Sequence, residues 1–221
     1  IVTGKTWYKV PPIHSLRDIV LRGYQIFPDR DAVRWRARPR DAEILSKTYR
    51  QLAVDVSKMQ AWLSTQLPKG SRIALIGENS YLWMVTWLAV ASGFGVIVPI
   101  DRLLKPEEVQ PILERSESVL FVYDASWHTY VSAVCDNLPF LTHRAVMDRD
   151  LASPELRDAI EMESSADPNL FVLDQVLEAM PDPVGEPELM SVADPGDDAA
   201  ILFTSGTSST SKAAILTDRP I

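Results

Sequence analysis

The chain has 221 residues, 46% of them hydrophobic and 24% charged, enough to bury a core as one large domain or as part of one. Its net charge is −8, and half of its 30 acidic residues lie between Asp148 and Asp198, opposed there only by Arg149 and Arg157. That balance argues against nucleic acid as the main partner, because an acidic surface repels a polyanion. The longest apolar stretch, Tyr81 to Val98, is interrupted by Thr86, Ser92, Gly93 and Gly95, so it is no transmembrane segment, while peripheral membrane contact stays open. The single cysteine, Cys135, cannot form an internal disulfide and no secretory leader opens the chain, so a reducing, cytoplasmic setting is expected. A first residue Ile1 in place of Met, and the abrupt end at Ile221, suggest a portion of a longer protein.

In chain order, Ser15 is placed to cap a helix whose apolar positions Leu16, Ile19, Val20, Tyr24 and Phe27 follow helical spacing until Pro28. In RDAVRWRARPR, period two puts Arg34, Arg36 and Arg38 on one strand face and Val33, Trp35 and Ala37 on the other. That pattern suits the solvated outer face of an edge strand or hairpin better than a phosphate site. Thr48 and Gln51 form a capping box, and Leu52, Val56, Met59 and Leu63 make the apolar stripe of the helix that follows. RIALIG, Arg72 to Gly77, reads as a buried strand. Asn79 or Ser80 then caps YLWMVTWLAVAS, a helix apolar nearly all round that Gly93 and Gly95 end.

Strand VIVPID, Val96 to Asp101, precedes KPEEVQPILERS, where Pro106 suits the first helical position and Glu107 and Glu108 the first turn. Pro111 predicts a kink or a late helix start. Strand VLFVYD, Val119 to Asp124, a helix from His128 to Asn137 and a strand near Ala145 to Asp148 follow. Cys135 shares a helical stripe with Val131, Val134 and Leu138 and reads as a core thiol. The three histidines, His14, His128 and His143, lack ligand spacing, and no metal site is predicted. From Arg149 to Asp198 the chain carries six prolines and one weak helix, FVLDQVLEAM, with an irregular connection after Met180. Apolar strands alternating with helices predict a layered α/β domain, its mostly parallel sheet covered by helices on both faces. The expected divisions are an α/β core over 1–148, an acidic, proline-rich connection over 149–198 and a strand–loop–strand over 199–218.

The strand–loop–strand carries the chemistry. In ILFTSGTSSTSKAAILTD the apolar run from Ile201 gives way to Thr204, Ser205, Gly206, Thr207, Ser208, Ser209, Thr210, Ser211 and Lys212 before apolar residues return. Hydroxyls, a glycine that permits close backbone approach and a terminal lysine suit a polyphosphate. The pattern is not a Walker loop, since AAILTD after Lys212 fits a strand where that motif needs a helix. On composition alone, a Ser/Thr-rich flexible hairpin serves as well.

The stretch I-L-F-T-S-G-T-S-S-T-S-K resembles the signature phosphate loop of the adenylate-forming (AMP-binding) superfamily, which includes acyl-CoA synthetases, luciferases and peptide-synthetase adenylation domains. The run from KTYRQL to GVIVPID resembles that family's opening order of a T-Y-x-x-L helix, a K-G-D-R-V-A strand, an N-S helix and a G-A-V-x-V-P strand, and PEEVQPILERS and SVLFVYD continue it. PIHSLRDIVLRGYQIFPDRDAV is most like fatty-acyl-CoA synthetases. Ser209 stands where the family commonly has its second glycine, Ser211 where it has proline, Ala213 where it has glycine, and Asp218 where many members carry histidine.

The resemblance implies the N-terminal part of an ATP-dependent acid–CoA ligase using ATP, Mg²⁺ and coenzyme A on a carboxylic acid, in particular a fatty acid. It assigns the polyphosphate contacts to Thr204, Ser205, Gly206, Thr207, Ser208 and Lys212, with Ser209 and Thr210 as weaker candidates. It puts no catalytic residue in this stretch and predicts that the isolated chain is inactive. Two other readings stay open: a non-catalytic nucleotide- or acyl-binding member of the same family, and an unrelated Ser/Thr-rich nucleotide-binding protein.

Overall fold

A computed structural model of the chain describes residues 12–38, 40–134, 137–190, 196–204 and 212–217. Helix α1, Leu16–Ile26, starts where Ser15 Oγ accepts the Asp18 N–H at 3.1 Å. Strands β1, Asp31–Trp35, and β2, Leu45–Thr48, pair antiparallel as a separate two-stranded sheet, with Arg34 exposed on it. Helix α2, Tyr49–Gln66, opens with the expected capping box: the Gln51 N–H donates to Thr48 Oγ1 at 3.2 Å, and the Thr48 N–H to Gln51 Oε1 at 2.9 Å.

The remaining elements alternate as the apolar pattern predicts. They are β3 (Arg72–Ile76), α3 (Tyr81–Ala89), β4 (Val96–Pro99), α4 (Pro106–Ser116), β5 (Leu120–Asp124), α5 (His128–Val134) and β6 (His143–Met147). After them come α6 (Pro154–Ala166), β7 (Leu170–Val172), α7 (Leu173–Ala179), β8 (Asp198–Thr204) and β9 (Lys212–Thr217). Seven strands form one sheet in the order β7-β6-β5-β3-β4-β8-β9, in which only the β8–β9 pair is antiparallel. The strands RIALIG, VIVPI and VLFVY thus lie side by side, as expected.

Alternation along each strand builds two cores. Ile73 and Leu75 of β3 join Leu52, Val56 and Met59 of α2, Val85 of α3 and Leu173 of α7 on one face. Ala74 and Ile76 join Val109 and Leu113 of α4, Val131 of α5 and Ile160 of α6 on the other. Helix α3 passes into a wider turn over Val90–Phe94, where Gly93 takes φ 135°. A side chain at Gly95 would meet the Ser71 carbonyl oxygen at 2.3 Å, so β4 enters the sheet through a gap only glycine fits.

Two details differ from expectation, and a third expectation falls outside the described residues. Helix α4 begins at Pro106 and runs unbroken through Pro111, with no late start. The bond that Pro111 forfeits would have gone to Glu107, in the exposed first turn, where loss of an intrahelical partner is least harmful. The 149–180 part of the expected connection is a further helix–strand–helix unit. Ser153 Oγ accepts the Leu156 N–H at 3.3 Å to start α6, and β7 extends the sheet beside β6. Arg144 of β6 fastens this unit, with Nη1 2.9 Å from Glu163 Oε1 of α6 and Nη2 paired with Asp167. Finally, helix α5 is described only to Val134, and Cys135, expected in the core, lies outside the described residues. Its stripe neighbours Val131 and Leu138 are buried.

Candidate phosphate-binding site

The strand–loop–strand is an antiparallel ladder. Asp198 faces Thr217, Ile201 faces Ile215, Phe203 faces Ala213, and Thr204 faces Lys212. The apolar residues before the loop hold the ladder in place: Ile201 is buried and Phe203 packs against the same core, with the Arg115 guanidinium 5.1 Å from its ring centre. Both ends of the polar stretch are exposed, and Thr204 Oγ1 donates to the Lys212 carbonyl at 3.4 Å. Register therefore brings the first and last predicted contact residues together. Ser205, Gly206, Thr207, Ser208, Ser209 and Thr210, with Ser211 and Asp218, lie outside the described residues.

Strand β8 is parallel to β4, so Thr204 sits at the carboxyl edge of the parallel sheet. Ligands of open α/β sheets collect on that edge, where successive crossovers turn in opposite directions. Here the chain moves from β3 to β4 on one side and then to β5 on the other, so the reversal falls between β3 and β5. That crevice holds the protein's own carboxylate. Asp124 Oδ2 accepts the Glu78 N–H at 2.9 Å and Oδ1 accepts the Ser126 N–H at 3.0 Å. A side chain at Gly77, φ 150°, would come within 2.9 Å of Asp124 Oδ2.

Beside it, burial pushes the Asp148 carboxyl up to about 6; a Ser80 hydrogen bond opposes the rise and the charges of Asp174 and Asp124 add to it. Burial also raises Asp174. Sequence reading singled out none of these three acids, although Asp124 ends the apolar strand β5 and Asp148 directly follows β6. Among the described residues, no three His, Cys, Asp or Glu side chains are grouped to hold a metal ion. Asp124 ends β5 and Asp148 follows β6, three and four strand spacings, about 14 and 19 Å, from β8, so these acids are not part of the phosphate end.

An apolar hollow of about 320 Å³ opens beside the ladder, lined by Ile13, Leu16, Ile19, Trp87, Ala200 and Leu216. It lies toward the Asp198–Thr217 end, several residues along the ladder from Thr204 and Lys212, and so does not adjoin the predicted contacts.

These elements define a mostly parallel α/β domain whose sheet ends in an antiparallel strand–loop–strand. The chain belongs to the AMP-binding enzyme family, whose profile matches residues 22–221. It is 31% identical over 157 residues to YdaB of Bacillus subtilis (strain 168), to which acyl-CoA ligase activity is ascribed, covering 71% of this chain and 27% of that protein. It is 27% identical over 213 residues to the mitochondrial medium-chain acyl-CoA ligase ACSF2 of Mus musculus, covering 89% of this chain and 32% of that protein.

Among solved structures, the anthranilate CoA ligase AuaEII in complex with anthranoyl-AMP shares the fold over 95% of this chain and 36% of that one, with TM-score 0.71 and 17% identity. The A-PCP didomain of a carboxylic acid reductase from Segniliparus rugosus in complex with AMP does so over 92% and 32%, with TM-score 0.73 and 19% identity. The chain thus spans roughly a third or less of the length of these curated relatives.

Proposed function

We propose that this chain is the phosphate-gripping N-terminal part of an ATP-dependent acid–CoA ligase. In that reading a substrate carboxylate oxygen attacks the α-phosphorus of ATP, the bond to the β-phosphate oxygen breaks, and acyl-adenylate and pyrophosphate form. The thiol of coenzyme A then takes the acyl group and AMP leaves. Thr204, Ser205, Gly206, Thr207, Ser208 and Lys212, with Ser209 and Thr210 assisting, hold the β- and γ-phosphates so that pyrophosphate departs in line. Mg²⁺ would help to neutralise the polyphosphate when bound. The observation that carries the reading is the ladder register that sets exposed Lys212 against Thr204 at the carboxyl edge of β8, in a chain of this family.

The acid we favour is a fatty acid. Support comes from the medium-chain acyl-CoA ligases among the relatives and from the opening segment before α2. The test is carboxylate-dependent ATP–pyrophosphate exchange by the whole protein, with saturated fatty acids of graded length set beside an aromatic acid. Exchange with fatty acids above the aromatic acid is expected; preference for the aromatic acid would overturn the substrate class. No exchange with any carboxylate would favour the non-catalytic reading, to which Ser209, Ser211, Ala213 and Asp218 give sequence support.

A further inference from the structure

The phosphate loop leaves one charged surface unused. Residues 30–50 carry seven Lys and Arg against three Asp and Glu, a net +4 within a chain of net −8. Most of this charge is on the β1–β2 hairpin. Pairing of Arg34 with Ser46 and of Trp35 with Leu45 fixes its two faces. Trp35 turns toward the body of the protein, its ring stacked on Tyr81 at 5.1 Å and 6°. Arg34 therefore points the other way, exposed, and Arg36, Arg38 and Arg40 continue exposed into the tip.

Two acids of the hairpin lie close to these arginines, and they engage them only partly. Asp31 lies 3.7 Å from Arg34, and both are exposed. Asp41 directs its carboxylate to the Arg38 backbone N–H at 2.9 Å, while Arg36 donates to the Asp41 carbonyl. Among the described residues, Arg36, Arg38 and Arg40 have no acidic side chain within ion-pair distance. Beside them Ile44 is 47% exposed, and it lines a shallow depression with Arg34, Trp35 and Arg36.

The geometry points to this hairpin as a docking surface for an anionic lipid bilayer. A tip that presents several guanidinium groups around an exposed aliphatic side chain matches an interface where phosphate and carboxylate headgroups overlie hydrocarbon. There the arginine stems lie along the apolar layer while their heads stay among the headgroups. The charge is complementary, and it is local. Duplex nucleic acid suits the surface less well, because its long, dense run of phosphates would extend past one hairpin onto a molecule that is otherwise strongly acidic. Because it uses none of the phosphate-loop residues, this inference stands or falls independently of the ligase reading.

Co-sedimentation of the purified chain with vesicles reads it, comparing phosphatidylcholine alone with phosphatidylcholine containing about a third phosphatidylserine. Binding to the anionic vesicles only is expected, fading as salt shortens the screening length from about 10 Å at 0.1 M to about 3 Å at 1 M. The combined variant Arg34→Ser, Arg36→Ser, Arg38→Ser, Arg40→Ser should partition at least about tenfold less, and Ile44→Ser several-fold less. Equal binding to both vesicle types, binding that persists at 1 M salt, or an unaffected four-site variant of unchanged melting temperature would overturn the proposal. Should the four-site variant fail to fold, the single tip variant Arg40→Glu takes its place under the same criteria. Tighter binding to a short DNA duplex than to the anionic vesicles would overturn it in favour of a nucleic-acid surface.

Discussion

Lys212 and Asp148 make opposite contributions to the molecule. Lys212 is exposed at the start of β9, so its removal should hardly affect folding. On the proposed reading, Lys212→Ala in the whole protein should lower adenylation by about a hundred- to a thousandfold, the usual scale for losing one charge-stabilising group, at unchanged melting temperature. Equal exchange rates in parent and variant would remove the residue from the phosphate grip. Asp148 is the reverse case, a group that strains the fold and serves no proposed chemistry. Its carboxyl is raised from the ordinary 3.8 to about 6, so the folded state holds the proton more tightly than the unfolded chain does. The stability it contributes is complete below about pH 4 and is lost as pH rises through about 6. Asp148 also takes φ 56°, a conformation asparagine adopts readily. Asp148→Asn should therefore stabilise the protein at pH 7 by about 1–3 kcal/mol and have little effect at pH 4. Melts at the two pH values check this, and an equal shift at both would refute it. Nothing in the sequence marks Asp148 this way, because its cost depends first on burial and then on the charges of Asp174 and Asp124, all of which only the tertiary fold supplies.

At the scale of elements, the β1–β2 hairpin belongs to a sheet of its own and is held to the body by a small polar knot. The Tyr81 hydroxyl donates to Asp55 Oδ2 at 2.6 Å, and Lys47 Nζ of β2 reaches the same oxygen at 3.0 Å. Burial above all, and then the Asp55 charge and hydrogen bond, push the Tyr81 hydroxyl pKa up, so it remains a donor throughout the working pH range. Tyr81→Phe keeps the ring stacked on Trp35 and removes one bond to a charged acceptor. A loss of about 1–3 kcal/mol in urea denaturation is expected, and an unchanged midpoint would mean that Lys47 alone secures Asp55. Elements with strong local signals were legible in sequence: the Thr48–Gln51 box, the Ser15 cap and the apolar runs of β3, β4 and β5 all stand where spacing puts them, and of the two candidates Asn79 and Ser80 it is Ser80 that caps α3. The unit at 149–180 was not legible beyond its last helix, because its signals compete. Prolines and acids suggest a connection, yet Pro154 is a first-turn residue of α6 and β7 is only 3 residues long. What makes β7 a strand is pairing with β6, a contact that local pattern does not contain.

For the whole molecule, the seven-stranded sheet ends in the β8–β9 ladder, and on the proposed reading the remainder of the site belongs to other residues. We expect the 221-residue chain alone to show no carboxylate-dependent ATP–pyrophosphate exchange. Exchange by the purified chain at a rate proportional to its concentration would show that these residues suffice. The strands flanking the loop were legible from their apolar runs, and their placement beside β4 was not. The pairing of β4 with β8, Ile97 opposite Ala200, joins residues about a hundred positions apart in the chain. A ribosome adding 5–20 residues per second would take roughly 5–20 s to travel between them. Throughout that interval the apolar strand VIVP has one flank without its partner, while β3 on the other flank is already made. The ladder that carries Thr204 and Lys212 thus joins the sheet after β3 to β7 have been synthesised, and its own Ala200 and Ile201 complete the cores on the two faces of the sheet. Until then the bare flank of β4 is the surface most open to stray strand pairing, and a chaperone that shields growing chains would meet this protein there.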